Sequence, residues 1–200
     1  MVRVFGACAT LSMLLSIAAP AQVIQFESNG LHYQTLTRSG VTIMLAHLPA
    51  RLHEYSIIQV VVSNGSAGPY VIRPEDFTFE RSDGQAIRAV SARAVIDMLL
   101  QKANGNDAIK LVTTYESGIY GNPHLKSTNG YESRRQAVIA STGNKKTTAL
   151  LASALALVQT KLALGESTDG AVFFPTDGKP LGSGRLVVRT NTDVFEFNAE

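Results

Sequence analysis

The 200-residue chain contains no tryptophan and a single cysteine, Cys8. Beyond that position there is no thiol, which excludes disulfides, cysteine nucleophiles and thiolate metal sites from the rest of the chain. Aromatic residues make up only 7% of the sequence, which argues against a carbohydrate-binding face built on aromatic platforms. Charge is scarce and nearly balanced, 18 basic against 16 acidic side chains, so no strong field draws nucleic acid or an anionic membrane. No apolar run is long enough for the roughly 18–20 residues that span a bilayer. Neither a G-x-x-x-x-G-K-[ST] phosphate loop nor a G-x-S-x-G nucleophile elbow occurs, and there is no internal repeat or low-complexity tract.

What is present begins with an export signature. Met1-Val2-Arg3 carries one positive charge, Val4–Ala19 is a short apolar run, and Ala19-Pro20-Ala21-Gln22 supplies an A-x-A cleavage site. A basic start, an apolar core and a small-residue cut site define a secretory signal peptide over residues 1–21. Cys8 lies near the start of the apolar core, so the segment does not read as a lipoprotein signal. Cleavage would remove Arg3 and no acid, taking the net charge from +2 to +1. The expected fate is a bacterial protein that is periplasmic or extracellular. The remaining length suits one domain that buries an adequate core without disulfides.

Residues 22–90 read as strands. Val41–Leu48 alternates, with Val41, Ile43 and Leu45 on one face. Tyr55–Ser63 is rich in β-branched residues and is expected to be a central strand buried on both faces. Leu31–Leu36, Tyr70–Ile72, Phe77–Glu80 and Gln85–Val90 are shorter candidates, with Ser82-Asp83-Gly84 as a turn. From Ser91 to Leu164 the period changes. Ala92, Val95, Ile96, Leu99, Leu100 and Ala103 recur at helical spacing behind Ser91 as N-cap. Asp107–Tyr115 and Tyr131–Ala140 are further helices, with Gly118–Gly130 as a polar loop. Lys145–Leu164, capped by Asn144 and closed by Gly165, is expected to form one buried helix. Strands return at Ala171–Phe174, Arg185–Arg189 and Val194–Asn198, the last two as a hairpin through Asn191-Thr192-Asp193.

Three motifs follow one another along the chain: Tyr55–Ser63 running into Asn64-Gly65-Ser66; Ile72-x-Pro74-Glu75-Asp76-Phe77-x-Phe79 followed by Asp83-Gly84; and Leu164-Gly165-Glu166-Ser167-x-x-Gly170-x-Val172-Phe173-Phe174-Pro175. In them the chain resembles the immunoglobulin-like domains of unknown function in exported bacterial proteins, the group likened to telomeric-repeat-binding factors. The resemblance covers the two strand blocks. It implies an immunoglobulin-like antiparallel β-sandwich, mainly β, in which the helices of about residues 91–164 are an insertion between strands. It implies a non-catalytic envelope module and transfers no catalytic residue.

The sequence offers few candidate sites. Tyr115, Tyr120, His124, Lys126, Tyr131, Arg134 and Arg135 cluster in and around one polar loop. Tyrosine and arginine are enriched at binding hot spots, and loops on rigid scaffolds often bind, so this group is the candidate partner surface; a solvated loop is the plainer alternative. His47, His53 and Glu54 could ligate zinc or copper only if they converged, and their spacing matches no ligand signature. Isolated His32 and His124 support no serine triad. Asn64-Gly65-Ser66 matches an N-glycosylation sequon. The resulting expectation is a single domain over 22–200 that acts as an exported, non-catalytic binding or assembly module. No catalytic residue, metal or cofactor is assigned, nucleic acid is excluded as a partner, and an envelope protein is expected to engage the helices. The alternatives are an envelope hydrolase with a site outside known motifs and a periplasmic metal-binding protein.

Overall fold

The computed structural model describes residues 22–49, 52, 54–102, 105–122, 125, 127–142 and 147–199. The expected signal segment, 1–21, lies outside them, as do His53, His124 and Lys126. The fold is mainly β, with antiparallel sheets and, among the described residues, four α-helices that all fall between residues 92 and 155. A five-stranded sheet runs β1 (Ile24–Ser28), β2 (Leu31–Arg38), β3 (Val41–His47), β4 (Tyr55–Asn64), β9 (Ser167–Pro175). A four-stranded sheet runs β11 (Val194–Ala199), β10 (Gly184–Arg189), β6 (Phe77–Arg81), β7 (Ala86–Arg88). β5 (Tyr70–Ile72) and β8 (Thr160–Leu162) pair separately.

β4 organises the molecule. It lies between β3 and β9, and its β-branched run is buried on both faces. Ile58, Val60 and Val62 join Ile43, Leu45, Val172 and Phe174 in a core that also contains Phe77, Phe79, Leu186, Val188, Phe195 and Phe197 of the four-stranded sheet. Ile57 and Val61, one residue out of phase, join Tyr33, Ala46, Ala171 and Phe173 in a second core, whose other wall is helical. Each fully buried side chain of this size contributes about 1.5–3 kcal/mol. Period-2 alternation thus makes the large sheet a middle layer with a core on each face.

The helical wall comprises α1 (Ala92–Lys102), α2 (Gly105–Tyr120), α3 (Tyr131–Thr142) and α4 (Thr147–Leu155). The Ser91 hydroxyl accepts the Ala94 N–H (3.2 Å) and caps α1. Val95, Met98 and Leu99 of α1, and Ala108, Leu111, Tyr115 and Ile119 of α2, are buried stripes at helical spacing.

The structure corrects the sequence reading at several elements. α2 continues to Tyr120, beyond the expected end at Tyr115, because Gly118 sits where the helix meets Gln59, Leu31 and Tyr33 of the sheet. The expected helix over Lys145–Leu164 ends at Leu155. Ala156 then bridges Ala171, the Leu157 N–H donates to the Ala171 carbonyl (2.9 Å), and Thr160–Leu162 becomes β8. An apolar run with little polar punctuation fits a buried helix or a buried extended segment equally well, and here sheet contacts decide. Gly165 does adopt positive φ (83°), but in the turn between β8 and β9. Asn64 is buried: its amide donates to the Gly68 and Leu162 carbonyls (2.8 and 3.1 Å), tying the turn that follows β4 to β8. The sequon asparagine is therefore committed to the fold.

Candidate partner surface and the buried cluster behind it

The candidate residues divide between interior and rim. Tyr115 and Tyr131 are fully buried and meet edge to face, with ring centroids 5.3 Å apart. They belong to the helix–sheet core, which corrects their expected place on a partner surface. Tyrosine presents an apolar ring with one polar handle, so it suits a core whenever its hydroxyl finds a partner.

For Tyr115 that partner is Asp169, which the sequence reading passed over. It is 2% exposed, on the face of β9 that the helices cover. Tyr115 Oη donates to its Oδ2 at 2.5 Å. Its Oδ1 accepts the Ser127 hydroxyl and the Tyr131 backbone N–H, the latter at 3.1 Å. The carboxylate thus stands at the N-terminus of α3, where unpaired amides and the helix dipole favour negative charge. Gly130 makes room for it: a Cβ there would lie 1.7 Å from Oδ1. Arg134 completes the joint. Its Nε donates to the Ala154 carbonyl in the last turn of α4 and its Nη2 to the Asp169 carbonyl, both at 2.7 Å.

The segment before α3 is laced to the start of β9. The Asn129 N–H donates to the Ser167 carbonyl (2.9 Å), the Thr128 N–H to Ser167 Oγ (3.1 Å), and the Ser167 N–H to Thr128 Oγ1 (2.9 Å). Instead of the expected solvated loop, residues 127–130 form a fixed strap, and α3 is anchored at its first turn. The sequence signal was weak, since an aspartate inside a strand is disfavoured unless tertiary partners claim it.

Tyr120 and Arg135 remain at the rim. Tyr120 is 57% exposed and donates through its hydroxyl to Glu132. Arg135 Nε lies 3.3 Å from Glu116 Oε1, which also accepts the Tyr131 hydroxyl at 2.6 Å. The rim therefore couples α2 to α3 and connects through Tyr131 to the buried cluster. Of the metal candidates, His47 is the last residue of β3, and desolvation of its imidazole lowers its pKa below the ordinary value. Among the described residues no three His, Cys, Asp or Glu side chains stand close enough to hold a metal ion.

Burial raises the pKa of all six tyrosines above the ordinary 10. Tyr33 is pushed up to about 12 by burial alone. Tyr120 reaches about 12 through burial, with the hydrogen bond to Glu132 adding to it. Tyr115 is driven well above the ordinary range by complete burial, reinforced by the Asp169 carboxylate. Above pH 10, where free tyrosine ionises, the unfolded chain loses protons that the folded chain retains, so stability falls as pH rises. Tyrosinate absorbance should stay flat through pH 10 and then rise together with loss of far-ultraviolet circular dichroism. A full tyrosinate signal at that pH with intact dichroism would contradict this burial.

No family model and no curated protein matches this chain. Among solved structures it is similar to the yjhA protein from Bacillus subtilis, at 11% identity and a TM-score of 0.36, over 88% of this chain and 96% of that one. A likeness at that level carries no argument.

Proposed function

We propose that this chain is an exported, immunoglobulin-like β-sandwich whose helices α1–α4 are an insertion, and that it serves as a non-catalytic binding or assembly module of the bacterial cell envelope. The observation that carries this reading is how the polar groups of the helix–sheet joint are used. Asp169, Tyr115, Ser127 and Arg134 spend their hydrogen bonds on one another and on backbone. Groups so engaged fix two layers together and leave the α2–α3 rim as a rigid platform. Binding residues on rigid supports lose little entropy on association. Tyr120 and Arg135 offer the aromatic and guanidinium chemistry that hot spots favour.

Two measurements test this reading. N-terminal sequencing of the protein recovered from the envelope fraction should begin at Gln22; an unprocessed protein in the cytoplasm would overturn the export reading. A photo-crosslinking residue at position 120 should yield a discrete adduct with an envelope protein. The same residue at Leu164, 64% exposed in the β8–β9 turn, should yield none. Adducts of equal intensity from both positions, or none from position 120, would count against the rim as the binding surface.

A further inference from the structure

Among the described residues, β1 is a lightly guarded edge. It is one of the two outer strands of the five-stranded sheet, and four of its five residues are exposed. Among the described residues, no backbone hydrogen bond reaches β1 apart from its ladder with β2. An edge strand presents a row of free N–H and C=O groups, and proteins usually blunt such an edge with lysine, proline or a bulge. Ile24-Gln25-Phe26-Glu27-Ser28 contains neither lysine nor proline, and its register with β2 runs one to one without a bulge. Ile24 is 62% exposed and Phe26 36%. A shallow cleft of about 230 Å³ lies along this edge, lined by Gln25, Phe26, Glu27, His32, Tyr33 and Gln34.

We infer that β1 is a self-association edge, and that its occupant is β1 of a second copy, paired antiparallel about a two-fold axis through Phe26. The argument is complementarity. In that register Phe26 faces Phe26 of the second copy, Gln25 faces Glu27, Glu27 faces Gln25, and Ile24 faces Ser28. The strand's one charged side chain meets an amide donor, never its own like charge. Because the pairing is centred on a residue, each strand supplies the same groups that it receives, as an isologous interface requires.

The rows beyond β1 agree. Phe26 already stacks on Tyr33 of β2, with centroids 5.2 Å apart and planes 12° from parallel. The dimer would extend this into a four-ring row from Tyr33 and Phe26 to their counterparts. On the opposite face, Glu27 pairs in register with His32 and Gln25 with Gln34. The continuation across the axis is therefore polar throughout. A heterologous peptide could use the same free backbone groups, but nothing in the strand calls for one, whereas its own sequence sets Phe26 against Phe26 and the Glu27 carboxylate against the Gln25 amide. The shared edge is five residues long, so the dimer belongs to the small, transient class of interfaces, below about 1,200 Å².

The test is sedimentation velocity on the purified protein over a wide concentration range, with circular dichroism confirming that each variant folds. The protein should dimerise with increasing concentration. Phe26→Lys, which places two cations on the axis, should abolish the dimer. Gln25→Glu sets like charges opposite each other twice and should weaken it about three- to tenfold. The exchange Gln25→Glu with Glu27→Gln keeps the net charge, swaps the two partners and should restore the dimer. A monomer at every concentration overturns the inference. So does a dimer indifferent to Phe26→Lys and Gln25→Glu, because the contact would then lie elsewhere. Loss in Gln25→Glu without recovery in the exchange variant overturns the proposed register.

Discussion

Asp169→Ala is expected to lower the unfolding free energy by about 3–5 kcal/mol, because removing one partner of a buried network strands the others. Tyr115 is fully buried, and its hydroxyl would lose its acceptor. The Tyr131 amide would lose its partner at the N-terminus of α3, and Ser127 would lose the carboxylate that holds the strap. In a domain of this size, a loss of that magnitude lowers Tm by roughly 6–20 °C. Urea denaturation measures it directly. The double variant Asp169→Ala with Tyr115→Phe should be more stable than the two single effects added together, since the second change removes the hydroxyl that the first orphans. Strict additivity would mean that the two groups do not form one unit.

Gly170→Ala should also be strongly destabilising, by about 1–3 kcal/mol or more, through a different mechanism. Gly170 lies where the chain leaving α4 crosses β9. A Cβ there would lie 2.5 Å from Leu157 Cα and 2.7 Å from Leu157 N. These are backbone atoms and cannot rotate away as a flexible side chain would. To admit the methyl, the 156–158 segment must lift off. That breaks the Leu157 N–H bond to the Ala171 carbonyl and the Ala156–Ala171 bridge. Leu155, Ala156 and Leu157 are buried at this crossing, so the damage reaches both cores. Gly165→Ala has open space around its Cβ but a φ of 83°, and its smaller cost of about 1 kcal/mol makes it the control. If Gly170→Ala proved no worse than Gly165→Ala, the close crossing would be wrong.

The parts of this fold legible in the sequence are those whose pattern is local. Tyr55–Ser63 reads as a central strand because of its β-branched run, and the strand observed over Tyr55–Asn64 is buried on both sides. The hairpin of Arg185–Arg189 and Val194–Asn198 is recognisable from its turn chemistry and forms in register. The change of period after Ser91 marks the helices, and Val95 and Leu99 point inward as their spacing requires. The parts that were not legible depend on distant contacts. Nothing in Ile24–Ser28 sets it apart as a strand until β2 pairs with it. The apolar stretch through Val158 does not reveal where helix ends and extended chain begins; Ala171 and Gly170 settle that from another part of the sequence.

The candidate site was legible only by half, for a physical reason. Tyr115, Tyr120, Tyr131, Arg134 and Arg135 are close in sequence, and the cluster exists in space. A tyrosine ring, however, serves a core or an interface equally well, and only the position of an acceptor for its hydroxyl distinguishes them. That acceptor, Asp169, lies 54 positions from Tyr115, between Thr168 and Gly170, ahead of the strand expected at Ala171–Phe174. The arginines divide in the same way. Arg134 reaches carbonyls in α4 and β9, whereas Arg135, one position on, stays at the rim with Glu116.

The central claim is that helices and sheet form one cooperative body through the Asp169 joint. Native-state hydrogen exchange tests it most directly. The amides of Leu111 and Tyr115 in α2 should exchange only through global unfolding, with the same free energy as Val60 and Val62 in β4. If α2 exchanged through a separate, much cheaper opening while β4 stayed protected, the helices would be an independent layer and the account of a rigid platform would be contradicted.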